Sequence, residues 1–157
     1  MENSLKINDV GVCQEPIESV VYNGILYTVV VRAELPPRGH QFVTKPADPL
    51  QVGILDFPAG HRIAPHGHFP TERIVRHCVE VVHIQLGLVK LSLYSCENEL
   101  FHEAILATGD TVLLIEGGHG FEMLEATRLV EVKQGPYLSE SGANYKISVT
   151  VPVPRRR

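Results

Sequence analysis

Apolar and polar positions follow one another along this chain in short runs that are separated by turn residues. The runs are rich in Val, Ile and Leu, and Gly, Pro, Asn or Asp stand between them. Such spacing is typical of an all-β sandwich or barrel and not of alternating strands and helices. It predicts strands over 17–22, 25–32, 41–43, 50–57, 61–68, 79–86, 89–94, 100–106, 111–115, 120–124, 128–133 and 146–151. The one helix candidate, 71–77, is too short to build on.

The first two strands carry the clearest local signal in the sequence. Asn23-Gly24 stands between them, and this pair accepts the positive φ values of a type I′ hairpin turn. We find no repeat or linker, so we assign one domain over 1–157. It has an N-terminal arm over about 1–15, a core over about 17–151 and a short basic tail over 152–157.

Composition narrows the classes of function. A chain of 157 residues is the size of one domain, and its net charge of −4 provides no basic field for nucleic acid. No apolar run approaches the roughly 18 residues of a membrane span, and the N-terminus lacks the features of a secretory signal. Three cysteines without metal-type or redox-type spacing predict reduced thiols in a cytoplasmic protein.

Two histidines and a glutamate stand at positions that suit metal ligation. If 61–68 is a strand, His66 and His68 point to the same face, because alternate side chains do so. Glu80 begins the next convincing strand and shares its face with the apolar Val82. A carboxylate on an apolar interior face costs free energy unless it is paired. A metal ion is the simplest partner.

His119 is the third candidate ligand. It lies in the glycine-rich segment 117–120, where the backbone turns sharply or is approached closely, and it shares a face with Phe121. His83, by contrast, lies on the face opposite Glu80 and should point outward. Three histidines and one carboxylate suit a divalent Mn, Fe, Co, Ni or Zn ion and leave coordination positions open for a ligand.

These stretches resemble the two signature motifs of the cupin superfamily, which are small jelly-roll β-barrels. The first motif is matched by Gly60, His66, His68, Glu80 and Gly87, and the second by Gly109, Asp110 and His119. The resemblance implies a single-domain cupin barrel with a divalent metal ion held by His66, His68, Glu80 and His119. It also implies a homodimer formed through edge or terminal strands. The ending of the second stretch is similar to that of small uncharacterised cupins, some of them similar to proteins of polysaccharide gene clusters.

The chain departs from the first motif between His68 and Glu80, where eleven residues replace the usual three or four. Glu72 stands at the usual distance from His68, but no apolar strand face surrounds it, and we favour Glu80 as the ligand. The additional residues should form a loop near the barrel mouth. Its Arg73 and Arg76 are candidates for binding a carboxylate or phosphate of a substrate, and plain solvent exposure is the alternative.

Other side chains receive structural interpretations. Cys78 has the parity of Glu80 and is expected to be a small buried apolar residue. A position near the ion, if the strand begins that early, is the alternative. Glu131 and Lys133 alternate with Val130 and Val132, which predicts an ion pair on the outer face of the last core strand.

The predicted function is metal binding, in an enzyme of isomerase or dioxygenase type that acts on a small organic or sugar-derived substrate. Two alternatives remain open. One is a non-catalytic cupin that binds a sugar or another small molecule, and the other is a metal-free sugar-nucleotide epimerase with a histidine as base. A fold of this kind does not decide between them.

Overall fold

A computed structural model describes residues 15–36, 39–48, 50–72, 74, 78–135 and 147. Within these ranges the chain is all-β, with ten strands and no helix. The strands are β1 (Ile17–Tyr22), β2 (Ile25–Val31), β3 (His40–Phe42), β4 (Gly53–Leu55), β5 (Glu80–Leu86), β6 (Leu88–Tyr94), β7 (Leu100–Ala107), β8 (Thr111–Leu114), β9 (Gly118–Met123) and β10 (Arg128–Lys133).

The strands form three antiparallel sheets. The largest has the order β1-β2-β8-β5-β10, the second β7-β6-β9, and β3 and β4 pair by themselves. Over the described residues these sheets do not close into a barrel. The expected all-β class is therefore confirmed at the level of antiparallel sheets. Because β10 and β9 each end a sheet, their outer edges carry no strand partner among the described residues.

The main core lies between the five-stranded and the three-stranded sheet. Both contribute alternate side chains to it, as the period of two in a strand requires. Each fully buried aliphatic side chain here contributes about 1.5–3 kcal/mol through removal from water. The cluster comprises Val20, Val30, Val82, Ile84, Val112 and Leu114 from one sheet and Val89, Leu91, Leu93 and Leu106 from the other.

A second cluster covers the opposite face of the five-stranded sheet. Val29 and Leu113 are buried there with Val79, against half-buried side chains that include Val43 and Val52 from the region of the small sheet. The middle strands are thus covered on both faces. This explains why β2 has four consecutive buried residues, Tyr27 to Val30, instead of a strict alternation.

The predicted hairpin is confirmed. β1 and β2 pair antiparallel across Asn23-Gly24, and these two residues have φ values of 50° and 79°. Positive φ at both positions is the requirement of a type I′ turn. The other predicted core strands recur with shifted ends, and β10 has the predicted bounds.

The predicted strand over 61–68 is wrong, since these residues form no regular structure and are exposed. Pro58, Pro65 and Pro70 provide a physical reason: proline has no N–H to donate to a neighbouring strand. In the helix candidate 71–77, the described residues 71, 72 and 74 are not helical. The predicted strand 146–151 lies outside the described residues except for Ile147. Where the chain is described, it contains no helix of membrane-spanning length and hydrophobicity.

Candidate functional site

Glu80 opens β5 and belongs to one row of side chains across the five-stranded sheet. It is paired with Leu114 of β8 on one side and with Lys133 of β10 on the other. Val82 follows on the same face and is 1% exposed. The side chain of Glu80 is itself only 14% exposed. The prediction that this carboxylate lies on the interior face is confirmed.

His119 meets Glu80 from the facing sheet. It lies opposite Leu93 of β6 and so shares the interior face of the three-stranded sheet, where its ring lies 5.8 Å from that of Phe121. Nε2 of His119 is 3.2 Å from Oε2 of Glu80. The structure therefore brings together two of the four predicted ligands, which lie far apart in the sequence.

Lys133 is the third charged group of this site. Its Nζ lies 3.5 Å from Oε1 of Glu80 and also contacts Oε1 of Glu131. The predicted pairing of Glu131 with Lys133 is confirmed, but its predicted outer-face position is wrong. Lys133 is in register with Glu80, and Leu129, two positions before Glu131, packs against the main core.

The charge of Lys133 is stabilised by its surroundings. Its pKa is raised above the ordinary value of 10.5, first by the hydrogen bond to Glu131 and further by the negative charge of Glu80, against partial desolvation. Lys133 is therefore a cation at neutral pH. It compensates part of the cost of placing Glu80 at the end of an apolar interior.

Gly117 is required for the approach of the chain to His119. Its φ is 68°, and a Cβ built there would lie 2.3 Å from the carbonyl oxygen of Tyr94. Only glycine combines that conformation with that approach. The interpretation of the glycine-rich segment as a place of close backbone contact is confirmed at this position.

His66 and His68 form a second pair. Their rings lie 5.3 Å apart, centroid to centroid, and are inclined by 76°. Both side chains are exposed, and Nδ1 of His66 lies 3.0 Å from the carbonyl oxygen of Ala64. Within the described part of the chain, no three His, Cys, Asp or Glu side chains gather as a metal would require. The four predicted ligands thus stand as two pairs.

The neighbouring candidates are placed as follows. Glu72 is exposed, whereas Glu80 contacts His119. Arg73 and Arg76 lie outside the described residues. Cys78 is exposed, so its predicted burial is wrong; the apolar position is the adjacent Val79, which is 1% exposed.

His83 takes no part in the Glu80 cluster. It lies on the other face of β5, and its Nδ1 is 3.0 Å from Oγ1 of Thr111, its cross-strand partner. The predicted opposite orientation of Glu80 and His83 is consistent with this contact. His83 is half-buried, so it faces a covered surface and not open solvent.

Asp110, which matches the aspartate of the second motif described above, has a structural role. Its carboxylate accepts hydrogen bonds from the backbone N–H groups of Ala33 and Ala107 at 2.9 and 3.0 Å. It also accepts one from Arg32 at 3.0 Å, and its side chain is 7% exposed. These contacts join the turn after β7 to the chain that follows β2.

Comparison of the chain with protein-family models, with curated proteins and with solved structures finds no match at the significance required. The functional argument therefore depends on the geometry of these side chains.

Proposed function

We propose that this protein binds a divalent metal ion and that Glu80 and His119 are its central ligands. The supporting observation is the distance of 3.2 Å between Nε2 of His119 and Oε2 of Glu80. Ligand nitrogen and oxygen atoms lie about 2.0–2.2 Å from ions such as Zn²⁺. Two ligands of one such ion are then about 3.3–3.6 Å apart at a tetrahedral angle and about 2.8–3.1 Å apart at a right angle. The separation of 3.2 Å lies between these two values and supports a shared ion.

The donor set also suits the ion. An imidazole nitrogen and a carboxylate oxygen are ligands that Mn, Fe, Co, Ni and Zn accept. His66 and His68 complete the set in this proposal. They are on an exposed segment without regular structure, which the ion would have to bring towards Glu80. In metal sites of this kind, part of the free energy of metal binding orders the segment that carries the ligands.

We place the protein among the metal-binding cupins, as the resemblance implies, and propose that it acts on a small organic or sugar-derived molecule. An ion with open positions would polarise a carbonyl of such a molecule or bind O₂ in the case of iron. Arg73 and Arg76 are proposed to bind its acidic group, and the protein is proposed to be a homodimer. The free thiols of Cys78 and Cys96 favour a reducing compartment such as the cytoplasm.

A second function is favoured by the same pair of side chains. A histidine whose ring nitrogen lies close to a carboxylate, here at 3.2 Å, resembles the arrangement of a general base and its orienting group. On this reading His119 moves a proton of a bound substrate, Glu80 holds the ring, and no metal is needed.

Elemental analysis separates the two functions. The protein is purified without a histidine tag, incubated separately with each of the five ions, dialysed and analysed for metal. Retention of about one ion per chain supports the metal-binding function. Retention of clearly less than that for all five ions contradicts it and leaves the acid–base function.

A further inference from the structure

We infer that the proposed metal site is shared between two copies of this chain. Glu80 and His119 come from one copy, and the partner subunit supplies the two remaining ligands on its histidine arm. The histidine arm is the segment 61–72, which carries His66 and His68. This sharing rests on the proposed function, whose four ligands it distributes over two subunits.

The histidine arm presents apolar side chains to solvent. All of its residues are exposed and without regular structure, and Phe69 and Ile63 are 94% and 59% exposed. A hydrogen bond within it is local, from Oγ1 of Thr71 to the carbonyl oxygen of Phe69 at 3.2 Å. Aromatic side chains are enriched in the cores of protein–protein interfaces. The arm therefore has the character of a segment that docks on another chain.

The arm of the same chain starts behind the sheet that carries Glu80. It follows β4 and the small sheet, and Val43 and Val52 from this region pack on one face of the five-stranded sheet. Glu80 lies on the opposite face, towards His119, whose side chain is 32% exposed. The arm of a second copy has no such starting point, because it approaches the open end of the core from solvent.

A strip of exposed apolar surface on β10 fits the apolar side chains of the arm. Val130 and Val132 are 44% and 61% exposed, and β10 ends its sheet with no further strand among the described residues. An open edge with apolar side chains is a surface that another chain readily covers. Phe69 of the partner subunit is the occupant that we propose for it.

The β10 strip lies next to Glu80. Val132 directly precedes Lys133, which is in register with Glu80. His66 and Phe69 are three positions apart on the arm, a length of chain that spans at most about 10 Å. Contact of Phe69 with the strip therefore leaves the histidines of the same arm within reach of Glu80.

Two copies exchange their arms reciprocally in this arrangement. A two-fold symmetric contact uses the same surfaces twice, so each arm covers the β10 strip of the other copy and the dimer contains two identical sites. The proposed homodimer then has a functional reason, because one chain alone does not complete the site.

The test uses a heterodimer of two variants, which are co-expressed with different affinity tags, neither of them histidine, and captured on both. One subunit carries His66→Ala with His68→Ala, and the other carries His119→Ala. The heterodimer is loaded with the ion that the wild-type protein retains. In a shared site, the intact Glu80 and His119 of the first subunit meet the intact arm of the second, so retention of about one ion per heterodimer is expected. If each chain builds its own site, both subunits lack a ligand and the heterodimer retains none.

The matched control pairs the same arm variant with His83→Ala. It is expected to retain about one ion per heterodimer in either arrangement, because one complete set of ligands is present in both. Equal retention by the test and control heterodimers supports the shared site. An ion in the control alone, or no heterodimer captured on both tags, overturns it. The wild-type metal content tests the proposed function separately: wild type without an ion overturns that function and the shared site with it.

Sedimentation equilibrium of the ion-loaded protein gives a second measurement. Phe69→Ala is expected to raise the dissociation constant of the dimer at least about ten-fold, since burial of an aromatic side chain contributes that much to binding. Leu100→Ala, at a position that is 51% exposed on β7, is expected to leave the constant unchanged. An unchanged constant in Phe69→Ala, or an equal rise in both variants, overturns the proposed exchange of arms.

Discussion

Nε2 of His119 and Oε2 of Glu80 meet at 3.2 Å between two facing sheets. His119 belongs to the last strand of the three-stranded sheet and Glu80 to the fourth strand of the five-stranded sheet, so only tertiary packing joins them. The contact lies at the end of an apolar core. Placing the Glu80 carboxylate there, at 14% exposure, would cost free energy without a partner, whereas the side chain of His119 is 32% exposed.

Asp110 is expected to be essential for stability. Asp110→Ala removes the acceptor of two backbone N–H groups and leaves Arg32, whose side chain is 10% exposed, without this partner. Loss of one member of a buried pair costs about 3–5 kcal/mol, to be measured as a fall in the free energy of unfolding in urea. Glu122→Ala, which breaks the exposed contact with Lys90, should cost less than about 1 kcal/mol. Equal losses would contradict this role.

The opposite effect is expected at Thr28. This residue is 0% exposed, and its Oγ1 has no hydrogen-bond partner among the described residues. Thr28→Val replaces an unpaired hydroxyl with a methyl group of the same shape and should raise the free energy of unfolding by about 1 kcal/mol.

Thr44→Val is the matched control for Thr28. Thr44 is 5% exposed, but its Oγ1 accepts a hydrogen bond from the N–H of Val52 at 3.0 Å. Its replacement should lower the free energy of unfolding by about 1 kcal/mol or more. Destabilisation by Thr28→Val would show that the Thr28 hydroxyl is paired after all.

Tyr27 should titrate at unusually high pH. The hydrogen bond between its hydroxyl and Sγ of Cys96, at 3.5 Å, and then burial raise its pKa from 10.0 to about 12. Cys96→Ala should therefore lower this pKa towards its ordinary value. The measurement is an absorbance titration of tyrosinate, in which Tyr27→Phe identifies the signal.

The raised pKa of Tyr27 also makes the free energy of unfolding depend on pH in the alkaline range. The folded state keeps the Tyr27 proton after the unfolded chain, with its ordinary pKa of 10.0, has begun to lose it. Deprotonation then favours the unfolded state, so this contribution to stability is complete below pH 10 and is lost between about pH 10 and 12. In Tyr27→Phe, this part of the decline in stability should be absent.

The sequence predicted much of the local structure of the site. Alternation alone placed Glu80 and Val82 on the interior face, since every later residue of that parity in β5 is apolar, whereas the other parity includes His83 and Gln85. The residues that contact Glu80, namely His119 and Lys133, were not predictable, because these contacts depend on which strands pair and which sheets face each other. Val130 and Val132 suggested the buried face of β10, yet they are 44% and 61% exposed. Valine side chains can be exposed on β10 because it is an edge strand. The register of β10 with β5 places Lys133 opposite Glu80.

The histidine pair shows the other limit of sequence reasoning. The prediction that His66 and His68 share a face assumed that they lie in a strand. The prolines around them lack the backbone N–H groups that would donate hydrogen bonds to a neighbouring strand. The two rings are nevertheless neighbours at 5.3 Å. Their spacing in the sequence is enough to keep them together without a strand, whereas their relation to Glu80 depends on how residues 56–72 pack.

The most direct test of the proposed site is metal binding by four matched proteins, measured by equilibrium dialysis with elemental analysis. Wild type and His83→Ala are expected to retain about one ion per chain, because His83 bonds to Thr111 on the opposite face of β5. His66→Ala and His119→Ala are each expected to lose it. Retention of the ion by His119→Ala, or its loss from His83→Ala, would contradict the proposed site.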